Sequence, residues 1–153
     1  MVGAVKKPIF ALAVLLFAAR PLLQAADPSP SPLAEQDPAG IVRAYMEAFN
    51  QHNVPALAER VSPDFVWFNV NSDRATVEVK GRDSLRKNLA SYFEKTSSVR
   101  SEIEDLVIAG DYVSFRERAV WNTLFGERSQ SSLAVYEVKN GLITRAWYFP
   151  AAK

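Results

Sequence analysis

The sequence of 153 residues contains no cysteine and one histidine, His52. Without cysteine there can be no disulfide, no thiol nucleophile and no zinc site built on thiolates. A transition-metal site would have to consist of carboxylates alone, and Glu102, Glu104 and Asp105 have the pattern of a solvated strand face instead. The sequence therefore predicts neither a metal nor a cofactor, and His52, in a turn between two helices, is expected at the surface.

Two further absences exclude classes of function. There is no Gly-x-Ser-x-Gly elbow and no glycine-rich phosphate loop, so serine-triad hydrolysis and nucleotide binding have no support. The 18 basic and 17 acidic residues are interspersed along the chain. A protein that binds nucleic acid concentrates its basic residues on one face, so no nucleic-acid partner is predicted.

Long apolar runs are also missing, because the N-terminal run from Ile9 to Ala19 is shorter than the roughly 20 residues of a membrane-spanning helix. Lys6 and Lys7 precede it and small residues follow at Ala25 and Ala26, the layout of a secretory signal peptide. We therefore predict that residues 1–26 are a signal peptide and that the domain is exported, periplasmic or secreted. After cleavage no stable membrane insertion is expected; the alternative is an uncleaved N-terminal membrane tether.

The rest of the chain divides into a short linker and one domain. Residues 27–36, DPSPSPLAEQ, are rich in proline and serine and predict an extended linker. Residues 37–153 begin with capped, amphipathic helical patterns and end in a series of strands with a period of two, which indicates an α+β domain with helices on one face of a curved antiparallel sheet. Predicted helices begin at Asp37 and Asn53, and a third spans about residues 83–95. Ser62-Pro63 is expected to end the second helix. The predicted strands are 65–71, 75–79, 103–108, 112–123, 130–138 and 142–149, and Asn140-Gly141 predicts a type I′ turn between the last two.

Four stretches carry a family resemblance that covers about residues 41–149. They are IVRAYMEAFNQHNVPALAERVSPDFVWF, VKGRDSLRKNLASYF, YVSFRERAVWN and VYEVKNGLITRAWYF. They resemble the SnoaL-like and ketosteroid-isomerase-like branch of the nuclear transport factor 2-like superfamily. The resemblance implies a cone-shaped curved antiparallel sheet wrapped around the N-terminal helices, an interior pocket and a homodimer. It does not fix a reaction, because the superfamily includes isomerases, polyketide cyclases, dehydratases and epoxide hydrolases.

The resemblance to ketosteroid isomerases can be followed residue by residue. Tyr45 falls at the position of the tyrosine that donates to the oxyanion in those enzymes. Asn69 falls at the position of the aspartate base, and an amide cannot take a proton from carbon. Ala134 falls at the position of the second oxyanion donor and offers no hydrogen bond. The ketosteroid isomerase mechanism is therefore disfavoured.

Glu117 is the candidate for a replacement base. Glu117 lies two residues after Phe115, so both side chains are on the same face of the strand. The resemblance implies that this face points inward. A buried carboxylate needs a partner or a proton, and the hydroxyls of nearby tyrosines could satisfy it. The alternative is that Glu117 pairs with Arg116 or Arg118 on a solvated sheet.

These residues together predict a pocket for a small, largely apolar molecule that carries one or two polar groups. Trp67 could equally be an ordinary core residue, and Asn69 could be edge-strand polarity. The predicted reaction is cofactor-free proton transfer, cyclisation or hydration, and the alternative is a non-catalytic binding or dimerisation module with an exposed aromatic sheet face that includes Trp147. The predicted catalytic residues are Glu117 as base with Tyr45 and Asn69 as donors, and the predicted ligand-binding residues are Trp67, Phe115, Tyr136 and Tyr148.

Overall fold

The computed structural model describes residues 37–150. The predicted signal peptide, residues 1–26, and the predicted linker, residues 27–36, lie outside the described residues. Within the described range, no helix has the length and apolar character needed to cross a membrane.

Three helices form where the capping and periodicity signals predicted them: α1 (Pro38–Asn50), α2 (Val54–Glu59) and α3 (Arg82–Lys95). The Asp37 carboxylate accepts a hydrogen bond from the backbone N–H of Gly40 at 2.9 Å, and the Asn53 side chain accepts from that of Ala56 at 3.1 Å. These contacts satisfy N–H groups that would otherwise have no partner at the helix starts.

Six strands form one curled sheet against these helices, as predicted for an α+β fold. The order across the sheet is β2-β1-β6-β5-β4-β3, and every neighbouring pair is antiparallel except β1 and β6. That parallel pair differs from the fully antiparallel prediction. It is possible because α3 and four strands separate β1 from β6 in sequence, so a direct hairpin is not required. The strands are β1 (Val61–Asn71), β2 (Arg74–Lys80), β3 (Arg100–Ala109), β4 (Tyr112–Thr123), β5 (Gly126–Lys139) and β6 (Leu142–Tyr148).

Strand β1 begins four residues before the predicted start and includes Pro63. Proline has no N–H to donate, which is why the sequence suggested a break there. The structure accommodates it with an irregular register against β6 between Val61 and Val66. At the other end of the sheet, the predicted Asn140-Gly141 turn has φ values of 52° and 76°, the positive values that a type I′ hairpin requires.

The core lies between the helices and the inner face of the sheet, where Val42, Leu57, Leu85, Phe115 and Ile143 are almost fully buried. The C-terminal end of α1 is fixed to β3 by two hydrogen bonds. Asn50 Oδ1 accepts from the backbone N–H of Ser101 at 2.7 Å, and Asn50 Nδ2 donates to the carbonyl of Ser101 at 2.9 Å. These two hydrogen bonds fix the backbone position of Ser101 in β3 relative to α1.

His52 is partly exposed, and it also makes contacts that its predicted surface position did not include. Its ring stacks on Phe93 with centroids 4.2 Å apart, and Nε2 lies 2.8 Å from the carbonyl oxygen of Val99. The residue has a left-handed φ of 52°, which ends the turn between α1 and α2. His52 therefore joins the helices to the start of β3 and does not line the cavity described below.

Candidate functional site

A cavity of about 460 Å³ opens between the helices and the inner face of the sheet. A second chamber of about 40 Å³, enough for a single water molecule, adjoins it. Both chambers are lined by Phe49, Trp67, Leu89, Glu117 and Tyr148. The larger one is also lined by Asn88, Tyr92, Thr96, Ala119, Trp121, Gln130 and Ser132, and the smaller one by Tyr45, Met46, Phe65, Tyr136 and Ala146.

Strand register explains why side chains distant in sequence meet at this cavity. Glu117 on β4 is paired with Ser132 on β5, and Trp67 on β1 is paired with Ala146 on β6. Tyr148 is paired with Ala134. Paired residues of neighbouring strands point to the same side of a sheet, so one inner face collects a carboxyl, an indole and a phenol.

Glu117 is the central group of the site, with only 8% of its surface exposed. Its Oε1 accepts a short hydrogen bond from Ser101 Oγ. Its Oε2 is buried and has no hydrogen-bond partner within residues 37–150. Burial raises the pKa of Glu117, and the hydrogen bond from Ser101 partly opposes that rise. A carboxylate whose charge is disfavoured in this way is a better proton acceptor.

The alternative of a solvated Glu117 paired with arginine is wrong. Arg116 pairs with Glu104 at 2.8 Å and also contacts Asp105, while Arg118 pairs with Glu102 at 2.9 Å. These pairs lie on the opposite face of β4, because successive side chains of a strand alternate. Glu117 therefore has neither arginine as a counter-ion.

Three tyrosines stand beside Glu117 in and around the smaller chamber. The hydroxyls of Tyr136 and Tyr148 are 2.6 Å apart, and the rings of Tyr45 and Tyr136 meet edge to face with centroids 5.9 Å apart. Burial raises the pKa of all three phenols, and the charge of Glu117 adds to the rise. They therefore remain neutral hydroxyls at physiological pH, which is the form that can donate hydrogen bonds to a ligand.

Trp67 lies on the cavity wall beside Tyr148, with the two rings 5.4 Å apart. The indole as a whole is half-buried, but its Nε1 is buried and has no acceptor among the described residues. Nearly all buried N–H groups in folded proteins have a partner. The wall thus contains one unpaired donor, on Trp67, and one unpaired acceptor, on Glu117.

Two predicted site residues do not line either chamber, which corrects the predicted pocket. Phe115 is fully buried in the core beside Tyr136, with ring centroids 5.1 Å apart. Asn69 is half-buried near the end of β1, where its amide donates to Glu78 Oε2 on the edge strand β2 at 3.1 Å. Both have the inward parity that the sequence suggested. Phe115 lies too deep, however, and Asn69 lies beyond the cavity.

Sequence reasoning missed Ser101, the direct partner of Glu117. The alternation of β4 places Ala119 and Trp121 on the face of Glu117, so these two lining residues could have been predicted. Ser101 could not, because its contact depends on the β3–β4 register, which pairs Ser101 with Ala119 and Ile103 with Glu117. Asn88 and Thr96 enter from α3 and the turn after it, and helix-to-sheet packing is not encoded in a local pattern.

The site has no obvious place for a metal ion. Within residues 37–150 no three potential ligands among histidine, aspartate and glutamate cluster together. The acidic side chains of Glu102, Glu104 and Asp105 on β3 pair with arginines.

Comparison with known proteins places the chain among proteins of this architecture. The model of the SnoaL-like domain matches residues 42–146. No curated protein sequence matches the chain. An uncharacterised cystatin-fold protein from Novosphingobium aromaticivorans superposes with a TM-score of 0.65 at 21% identity, covering 73% of this chain and 97% of its own.

The names of two other similar structures mention a reaction or a bound compound. IdmH from Streptomyces antibioticus, a proposed polyketide cyclase, has a TM-score of 0.62 at 19% identity over 73% of this chain and 90% of its own. TerC, crystallised with polyporic acid, has a TM-score of 0.61 at 15% identity over 72% of this chain and 88% of its own. At these identities the similarity establishes a nuclear transport factor 2-like fold and no more.

Proposed function

The chain belongs to the SnoaL-like domain family, and on that basis we propose that it is a cyclase-type enzyme that moves a proton on a small, largely apolar molecule without a cofactor. One observation carries the proposal: Glu117 is buried on the wall of an apolar cavity, with Oε1 held by Ser101 and Oε2 without a partner. The similarity to a proposed polyketide cyclase supports the same class of reaction.

In the proposed step, Glu117 Oε2 takes a proton from a carbon or oxygen of the bound molecule. When the proton leaves a carbon next to a carbonyl, the C–H bond breaks, an O–H bond forms on Glu117, and the electron pair moves to the carbonyl oxygen as an enolate. The enolate carbon can then attack a second carbonyl of the same molecule to form a ring, and Glu117 returns the proton. Neutral tyrosine hydroxyls beside the carboxyl supply hydrogen bonds to the developing negative charge.

The apolar walls have a defined part in this chemistry. Trp67, Phe49, Tyr92, Trp121 and Leu89 line the cavity with Glu117, and Glu117 itself is only 8% exposed, so its carboxyl is poorly solvated. A carboxylate that is poorly solvated has less stabilisation to lose when it becomes protonated, so proton transfer to it is easier.

Export of the domain remains a separate proposal that rests on residues 1–26.

The proposal can be tested without knowledge of the natural substrate. 5-Nitrobenzisoxazole is an apolar probe that opens when a base removes its ring proton: the C–H bond and the N–O bond break, and a coloured nitrophenolate forms. We expect the full chain to accelerate this opening and the variant Glu117→Gln to lose most of the acceleration, about a hundredfold or more. The rate of the unaltered protein should rise with pH as Glu117 ionises, along a curve displaced above the usual glutamate pKa.

Glu102→Gln is the matched control, because it removes a glutamate on the neighbouring strand that pairs with Arg118 outside the cavity. This variant should retain the rate. If Glu117→Gln opened the probe as fast as the unaltered protein, Glu117 would not be the base. The chain would then be better described as a non-catalytic binding module of the same fold.

A further inference from the structure

The indole of Trp67 carries a hydrogen-bond donor, Nε1–H, as well as an aromatic ring. Its Nε1 is buried without an acceptor in residues 37–150, although the side chain lines both chambers. Leaving a buried donor unpaired costs about 1–3 kcal/mol. Such a cost is expected where a ligand supplies the missing acceptor.

The unpaired oxygen of Glu117 is the complement of this donor. Oε2 is buried, and Ser101 occupies only the other oxygen of the carboxyl. Tyr148 lines both chambers together with them, and its ring lies 5.4 Å from that of Trp67. Both side chains line the same two chambers, so a molecule bound there lies against both of them.

The remaining wall defines the body of that molecule. Phe49, Tyr92, Trp121 and Leu89 present aromatic and aliphatic surfaces around about 460 Å³. Flat aromatic walls favour a flat, conjugated ligand, because ring faces and edges pack well against one another.

We propose that Trp67 Nε1 donates a hydrogen bond to a carbonyl oxygen of the ligand while Glu117 Oε2 accepts one from a hydroxyl, so that the site selects planar hydroxy ketones of the phenol or enol type. This inference rests on the proposed function only in taking the cavity as the site where the reacting molecule binds.

Three related probes separate the two contacts. 3′-Hydroxyacetophenone carries both groups, 3′-methoxyacetophenone lacks the hydroxyl donor, and 3-ethylphenol lacks the carbonyl. Their dissociation constants are measured with the full chain by ligand-observed NMR titration. We expect Trp67→Phe to weaken the two ketones about fivefold to tenfold and to leave 3-ethylphenol nearly unchanged, the effect of one lost hydrogen bond. Glu117→Gln should weaken the two phenols and spare the methoxy ketone.

Trp121→Phe is the matched control, because it makes the same exchange on another lining residue of the cavity. It should affect the three probes alike. The circular dichroism spectrum of each variant verifies that it is folded.

Several results would overturn the inference. Equal weakening of all three probes by Trp67→Phe would mean that the ring and not its N–H is recognised. No change at all would mean that Nε1 serves an internal water, and failure of every probe to bind the unaltered protein at millimolar concentration would exclude this ligand class. The proposed function is judged separately, because opening of 5-nitrobenzisoxazole depends on Glu117 and needs no carbonyl contact with Trp67.

Discussion

At the scale of single residues, the behaviour of Glu117 depends on a serine that has no catalytic appearance in the sequence. Ser101 is buried, its backbone is held by Asn50, and its hydroxyl donates to Glu117 Oε1. This contact leaves Oε2 as the oxygen free to act. Burial raises the pKa of Glu117 and the Ser101 hydrogen bond lowers it, so the two effects together set the pH at which the carboxylate forms.

Ser101→Ala should therefore raise the pKa of Glu117 further. A hydrogen bond to a charged group contributes about 1.5 kcal/mol, which corresponds to about one pH unit. Because the base acts only when ionised, the rise of the 5-nitrobenzisoxazole rate with pH should move upward by that amount, and the rate at neutral pH should fall. Carbon-13 NMR titration of labelled glutamate measures the same change directly.

Ser101→Thr keeps the hydroxyl and should keep both the titration and the pH profile. If Ser101→Ala lowered the rate equally at every pH and left the carboxyl titration unchanged, Ser101 would support only the packing of β3 and would not position Glu117.

At the scale of elements, strands β5 and β6 are joined by a second buried glutamate on the outer face of the sheet. Glu137 accepts from Thr144 Oγ1 at 2.5 Å and pairs with Lys139 at 2.6 Å and Arg145 at 2.8 Å. The side chain of Glu137 is only 4% exposed, whereas those of the two cations are each 46% exposed. Glu137 is thus covered by the side chains that pair with it and is not deep in the core.

The pKa of Glu137 is lowered to about 2. The hydrogen bond from Lys139 is the largest cause, the one from Thr144 is next, and the one from Arg145 also contributes. A carboxyl with a lowered pKa in the folded state stabilises the fold above its unfolded pKa, and that stability is lost as pH falls from about 4.5 towards 2. Glu137→Gln should lower the free energy of unfolding at pH 7 by roughly 2 kcal/mol, a value reduced for the half-exposed cations.

Urea denaturation at pH 7 and at pH 2.5 checks this expectation, because the difference between the variant and the unaltered protein should shrink greatly at the lower pH. Glu127→Gln, at an exposed pair with Arg100, should change stability little at either pH. A loss for Glu137→Gln that was the same at both pH values would show that shape, and not charge, explains the role of Glu137.

The elements also show why only part of the molecule could be predicted. Helix caps at Asp37 and Asn53, the hairpin at Asn140-Gly141 and the strand periods are local patterns, and the structure confirms them. The parallel β1–β6 pair and the Ser101–Glu117 contact depend on how distant segments meet. Strand alternation indicates which face of the sheet Phe115 and Asn69 are on, but not how far each lies from the cavity. Neither residue lines the cavity for that reason.

At the scale of the whole molecule, the two faces of the sheet differ. The inner face supports the helices and the cavity. The outer face carries an aromatic cluster in which Phe68 stacks on Trp147 at 5.7 Å and Trp147 lies 6.4 Å from Tyr112. Tyr112 of this cluster is 44% exposed, and Leu133 on the same face is 48% exposed. Contiguous apolar surface of this kind marks an interaction site more often than solitary exposed residues do.

We propose that a second copy of the chain covers this outer face and forms a homodimer. The face combines an apolar centre with the paired charges of Arg116, Arg118, Glu102 and Glu104, the arrangement typical of a protein interface with a polar rim. Leu133→Glu would bury a carboxylate in the interface from each subunit, so it should convert the dimer into a monomer while the domain remains folded.

Sedimentation velocity at micromolar concentration measures this change, and Leu124→Glu supplies the control. Leu124 is fully exposed at the turn between β4 and β5, away from the aromatic cluster, so a charge there should leave the dimer intact. A monomer mass for the unaltered chain would refute the dimer. A dimer that survived Leu133→Glu would mean that the copies associate through another surface, since a symmetric interface that covered this face would bury the new carboxylate in both subunits.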